Sequence, residues 1–328
     1  MIIFKCCGIF AVRIIYEGRT IMKITFNDIV AKSQTLSKKV LSVAVAQDEA
    51  VLEAVAEAKK KGICDAILVG DEAQIKEIAA GIGVDVNQFE IINEPDVIQA
   101  SLTAVKLCHD GKADMYMKGL LETKDFLRSV LDKEVGLRTG GVLSHVCVFD
   151  IPGVEKLLFF TDVAFMTYPT LEDKVNIIKN TIPVCNACGI ENPKVAPLAA
   201  VEVVNPKMPV CVEADELTKM NERGEITGCI VDGPLSLDLA IDPEAAKHKH
   251  IEGRKIQGDA DILLFPDIHA GNLVYKAIVH TTKVENGCIL TGTKVPVILT
   301  SRSDTFETKV NSIALAAVVA HEIKKANA

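Results

Sequence analysis

Residues Asp48–Gly70 read DEAVLEAVAEAKKKGICDAILVG, and this stretch decides the fold. Val51, Leu52, Val55 and Ala58 recur at helical spacing, which predicts a helix over Asp48–Lys61 with one apolar face. Asp65–Val69 then forms a short apolar run closed by Gly70-Asp71, the pattern of a buried strand. The same alternation runs from Ser42 onward. It predicts a helix over Glu72–Ala80, a strand over Phe89–Ile92 and a helix over Pro95–Cys108. A short strand, Met115–Met117, follows and delivers Lys118-Gly119. Strands alternating with helices imply an α/β protein with a mostly parallel sheet and helices on both faces.

Further on, Leu143–Phe149 and Lys156–Phe160 are joined by the hairpin-like turn Asp150-Ile151-Pro152-Gly153. After it the pattern predicts a long helix over Leu171–Cys188, strands over Val195–Leu198 and Gly228–Val231, and a helix over Pro243–His250. An apolar helix, Thr305–Lys325, closes the chain. Gly140-Gly141 breaks the rhythm. The expected division is therefore domain I over 22–141 plus 297–328, and domain II over 142–296, the last strand and helix returning to the first domain. No repeat occurs at solenoid spacing.

The chain has 328 residues, 49% of them hydrophobic, and a net charge of −8. That length suits two domains or one large unit, and the charge opposes a non-specific nucleic-acid binder. Local Arg and Lys can still shape a pocket for an anionic substrate. Most of the ten cysteines sit singly in apolar runs, as expected of buried free thiols in a reducing cytosol. Cys185 and Cys188 form a C-x-x-C, but no second pair follows at zinc spacing. Met1–Ile21 is broken by Lys5 and Arg13 and lacks a cleavage site, so it reads neither as a signal peptide nor as a membrane span. It is expected to be a non-native leader, with Met22 as the start. No other segment approaches transmembrane length, and the scattered thiols lead to the expectation of a cytoplasmic protein.

Walker-type, dinucleotide-binding, H-E-x-x-H and G-x-S-x-G motifs are all missing. Four clusters carry chemistry instead. In the first, Lys118 stands at a strand end and a helix begins near Thr123. The second is Gly136–His145, where Arg138 lies among glycines and offers a fork of donors suited to phosphate. The third is Phe265–Asn272. There a strand running to Asp267 is expected to turn into a helix opened by Gly271-Asn272, whose free N–H groups would face an anion. In the fourth, a strand over Val295–Thr300 delivers Ser301-Arg302, with Ser303 or Asp304 as cap of the last helix.

Several segments resemble the phosphate acetyl/butyryltransferase family. They are Phe160-Thr161-Asp162-Val163-Ala164 with Pro169-Thr170, and Val231–Leu235 with Asp238 and Ala240. Pro266-Asp267 with Ala270–Asn272 and Tyr275-Lys276, Ile289-Leu290 with Gly292, and Ser301-Arg302 complete the set. The resemblance runs in order from about Lys112 to the C-terminus. Within the family, Met115–Arg128, Gly136–Ser144 and Phe165–Pro169 are more similar to the butyryl-transferring branch than to the acetyl-transferring one.

The resemblance implies a two-domain isocitrate/isopropylmalate dehydrogenase-like fold with an inter-domain cleft, and reversible transfer of an acyl group between coenzyme A and phosphate. It implies Ser301 and Arg302 as catalytic residues, and an arginine at the domain crossing carried onto Arg138. Lys118, Thr123, Ser144, Asp267, Gly271, Asn272 and Lys276 are the further substrate-binding candidates. Coenzyme A and phosphate enter as substrates, with no metal and no permanently bound cofactor. Neither nucleic acid nor membrane is expected as partner, and homo-oligomerisation is left open. One departure stands out: Thr308 occupies the position where acetyl-transferring enzymes carry the Asp taken as base, which leaves the base open among Asp304, Glu307 and other groups. The rival readings are acetyl transfer, a metal-dependent decarboxylating dehydrogenase on the same fold, and an inactive binding or regulatory protein.

Overall fold

The computed structural model describes residues 12–16, 19–251, 253–300 and 304–326. The chain forms two compact units, one built from residues up to Gly141 together with Glu285–Ala328, the other from Val142–Val284. Both are α/β, with mostly parallel strands. At the start, β1 (Val12–Tyr16) and β2 (Arg19–Lys23) pair as an antiparallel hairpin.

In the first unit the strands are β3 (Lys39–Ala44), β4 (Cys64–Gly70), β5 (Glu90–Asn93), β6 (Met115–Lys118), β12 (Glu285–Thr291) and β13 (Val297–Ile298). Their order is β12-β13-β6-β3-β4-β5, parallel except for β12 against β13. The helices are α1 (Phe26–Thr35), α2 (Glu49–Lys60), α3 (Glu72–Gly81), α4 (Val97–His109), α5 (Thr123–Val130) and α11 (Phe306–Ala326). Asp48, Asp71 and Asp96 cap α2, α3 and α4, each accepting from amides in the first turn. Helix α11 is buried continuously from Thr308 to Ala320 and packs on β12, α1 and α2. A helix apolar all round needs such enclosure. Tyr116 on β6 is fully buried; it stacks on Phe126 and donates to the Ser101 carbonyl at 3.0 Å.

The second unit has strands β7 (Ser144–Asp150), β8 (Leu158–Thr161), β9 (Lys194–Pro197), β10 (Ile230–Val231) and β11 (Ile262–Leu264). The order is β10-β9-β11-β8-β7, and only the β7–β8 pair is antiparallel. This is the hairpin expected around Asp150–Gly153. Helices α6 (Leu171–Ala187), α7 (Pro209–Glu222), α8 (Leu237–Ile241), α9 (Pro243–His248) and α10 (Ile268–Thr281) complete it.

Two expected boundaries are corrected. The strand before α10 ends at Leu264, and α10 begins at Ile268 with Asp267 as its cap, so Gly271-Asn272 does not open the helix. The Asp267 carboxylate accepts the Ala270 amide at 3.0 Å, and the Gly271 amide donates to the Asp267 carbonyl at 3.1 Å. The strand expected over Val295–Thr300 shortens to Val297–Ile298, leaving Thr300 beyond its end. α1, β3 before Ser42, α7, α8 and β12 had no counterpart in the sequence pattern. Among the described residues no helix is long and apolar enough to cross a membrane.

Candidate functional site

The first unit contains a topological switch point. From β3 the chain moves outward through β4 and β5, then returns to place β6 on the other side of β3. In open α/β sheets, ligands bind outside the carboxyl ends of strands at such a reversal. A cavity of about 130 Å³ lies there, lined by Asp48, Ala50, Val51, Lys118, Gly119, Thr300 and Lys309. Each strand end contributes. The loop after β3 brings the start of α2, β6 ends in Lys118-Gly119, and Thr300 follows β13.

The wall is tightly made. Val45 adopts a φ of 54°, a rare conformation for a β-branched residue and the kind of strain that gathers at functional sites. Its carbonyl accepts the Leu120 amide at 2.8 Å, while the Ala44 carbonyl accepts the Gly119 amide at 2.9 Å. A side chain on Gly119 would place its Cβ 2.2 Å from the Val45 oxygen, so only glycine allows this crossing.

Two ammonium groups converge on the cavity. Lys118 is 6% exposed and Lys309 4%. Lys309 Nζ donates to the Asp304 carbonyl at 2.7 Å, a neutral acceptor. Asp48 supplies one carboxylate, with Oδ1 held by the Val51 amide at 2.9 Å. Two lysines against one aspartate, beside the first turn of a helix whose early amides have no partner within it, make a positive enclosure. A larger cavity of about 660 Å³ in the same unit carries Glu53, Glu57 and Asp85 against Lys60, and so disfavours anions.

Of the sequence-expected residues, Lys118 lines the smaller cavity. Ser301, Arg302 and the cap candidate Ser303 lie outside the described residues. Thr305, not Asp304, caps α11: its Oγ1 accepts the Thr308 amide at 3.2 Å. Thr123 is exposed at the first position of α5. Arg138 is exposed too, on a segment tied to Gly292–Lys294 by a bridge to Thr293 and by Thr139 donating to the Gly292 carbonyl at 2.8 Å. Thr308 is buried and donates to Asn286 Oδ1 at 2.9 Å.

In the second unit, Ser144, Gly271 and Asn272 gather around the turn after β8. Asp162 is 2% exposed; its carboxylate accepts the amides of His145, Ala164 and Phe165 at 2.7–2.9 Å. Ser144 is fully buried, and its Oγ accepts from Asn180 at 3.1 Å. Asn272 Nδ2 donates to the Val163 carbonyl at 3.1 Å, and a Cβ on Gly271 would come within 2.6 Å of the Asp162 carbonyl oxygen. The Gly271 amide is used inside α10, so it is not one of the free N–H groups that the expected anion site called for. Lys276 is half-buried, its ammonium 5.3 Å from the Tyr275 ring centre. Asp259 and Asp261 pair with Lys194 and Lys156.

Lys309 and the start of α2 were missed in the sequence. A signal existed: Lys309 shares a helix face with Ile313 and Ala316, all of them buried.

The sequence profile described as phosphate acetyl/butaryl transferase matches residues 25–99 and 95–317. The chain belongs to that family. It is 59% identical over 296 residues to a phosphate butyryltransferase of Clostridium acetobutylicum, covering 90% of this chain and 98% of the relative. A phosphate acetyltransferase of Thermotoga maritima is 45% identical over 282 residues, covering 86% and 95%. The solved structure of a branched-chain phosphotransacylase from Enterococcus faecalis V583 aligns with a TM-score of 0.77 at 34% identity, over 86% of this chain and 99% of that one.

Proposed function

We propose that the chain is a phosphate butyryltransferase. It transfers a butyryl group reversibly between coenzyme A and phosphate, with both substrates bound together. The observation that carries this reading is the positive cavity at the switch point, whose Thr300 is followed directly by Ser301-Arg302. The identity to the C. acetobutylicum enzyme supports the butyryl branch.

In one direction a phosphate oxygen attacks the thioester carbonyl and a tetrahedral oxyanion forms. The C–S bond then breaks, releasing the CoA thiolate, which takes up a proton. No covalent enzyme intermediate is needed when both substrates are held in line. What the protein must supply is a seat for phosphate and donors for the oxyanion. Lys118 serves the first role, and Ser301 with Arg302 the second. Thr123, Arg138 and Lys276 remain substrate-binding candidates. Ser144, Asp267, Gly271 and Asn272 are assigned to holding the scaffold. Coenzyme A and phosphate are the substrates, with no permanently bound cofactor. The eight cysteines among the described residues are buried and not in disulfides, which suits the cytoplasm.

The two compact units are read as the domains of an isocitrate/isopropylmalate dehydrogenase-like fold. β12, which the division at 297 left in domain II, is assigned to domain I. Acetyl transfer is the second reading, favoured by the 45% identity to the T. maritima enzyme. Phosphate-dependent rates with butyryl-CoA and acetyl-CoA decide between them: faster turnover of butyryl-CoA supports the first, and faster acetyl-CoA turnover replaces it.

A further inference from the structure

The lining and size of the cavity at the ends of β3, β6 and β13 bear on the kind of ligand it suits. We propose that Lys309, on α11, is the second cationic anchor of the transferred phosphate group, facing Lys118 over the first turn of α2. The inference rests on the reading above and deepens it.

Size selects the ligand. Pockets that enclose drug-sized molecules run to roughly 300–1,000 Å³, whereas this cavity is about 130 Å³. It is too small for the nucleotide of coenzyme A and suited to a single oxyanion. Charge selects it too. Lys309 is more than nine-tenths buried, and burying an ammonium group is costly unless an opposite charge or strong acceptors meet it. The acceptor given to Lys309 is one carbonyl, that of Asp304, which leaves two of its three N–H donors for another partner. Asp48 is the one carboxylate in the lining, and its Oδ1 is held by the Val51 amide. A phosphate dianion would meet both lysines and the Thr300 hydroxyl.

Chain order favours the transferred phosphate, because Thr300 immediately precedes Ser301-Arg302. The 3′-phosphate of coenzyme A is the other source of the same chemistry, and kinetics separate the two.

The test compares wild type with Lys309→Met and Lys309→Arg in the butyryl-CoA assay, and titrates each protein calorimetrically with inorganic phosphate alone. Loss of one charge-assisted contact predicts a roughly 10- to 100-fold rise in KM for phosphate in Lys309→Met. KM for butyryl-CoA should stay within about threefold, Lys309→Arg should recover part of the loss, and phosphate binding should weaken in parallel. An unchanged phosphate KM and affinity would overturn the assignment, as would a rise confined to butyryl-CoA. If Lys309→Met does not fold, as far-UV circular dichroism would show, Lys118→Met carries the same prediction from the opposite wall. A wild-type protein that binds phosphate through Lys309 yet turns over no thioester would sink the reaction and leave the seat standing.

Discussion

Lys118 and Thr300 line the same cavity because Met117 and Ile298 are register partners on the adjacent parallel strands β6 and β13. One residue past the pair on β6 is a buried ammonium; two past it on β13 is a hydroxyl. Gly119 locks this geometry by lying against the Val45 carbonyl. A methyl group there would sit 2.2 Å from that oxygen, so Gly119→Ala forces backbone movement at the site. The expected cost is about 1–3 kcal/mol of stability, read from the urea midpoint, with a rise in KM for phosphate. Wild-type values for both would refute the close approach.

Asp162 accepts three backbone amides with a carboxylate that is almost fully buried. Removing it strands the buried His145 amide, whereas Ala164 is exposed and Phe165 half-buried; a buried orphaned donor costs about 1–3 kcal/mol. Asp162→Ala should therefore lose about 2–3 kcal/mol in denaturant unfolding. A loss under about 1 kcal/mol would show that the turn after β8 is held by other means.

Thr308 is a structural hydroxyl. It is buried, and it donates to Asn286 on β12. Thr308→Val should keep turnover within about threefold while lowering stability by roughly 1 kcal/mol, the size of one hydrogen bond. A hundredfold fall in kcat with stability intact would return Thr308 to the chemistry.

Both cysteines of the C-x-x-C, Cys185 and Cys188, are buried. Burial lifts the Cys185 thiol well above its ordinary range, and it pushes Cys64 up to about 12 and Cys229 up to about 11. Thiolate, the reactive form, is then scarce at neutral pH. Native alkylation at pH 8 followed by peptide mapping should leave the eight described cysteines unlabelled, with full labelling in denaturant. Rapid native labelling of Cys185 or Cys188 would restore a redox or metal role.

Periodicity made α2, β4, α3 and α6 legible, because each has one face or one run whose apolar spacing is undisturbed. β3 and β12 were hidden by polar residues that the fold satisfies internally. Ser42 donates to the Ala104 carbonyl at 2.8 Å, and Asn286 receives the Thr308 hydroxyl. The start of α10 was misplaced because Gly271-Asn272 reads like a helix opening while Asp267 carries the capping bond. At the site, Lys118 was legible as a lysine at a strand end. Lys309 was not singled out: its place on the face of Ile313 and Ala316 marks it as buried, but only the sheet order brings it to the cavity.

The central claim is acyl transfer to phosphate, and stoichiometry tests it most directly. Incubate the protein with butyryl-CoA and phosphate, follow free thiol, and follow butyryl phosphate by phosphorus NMR. One butyryl phosphate per thiol released, with no release when phosphate is omitted, is the predicted result. Thiol release that ignores phosphate, or none at all from folded protein, would contradict the account.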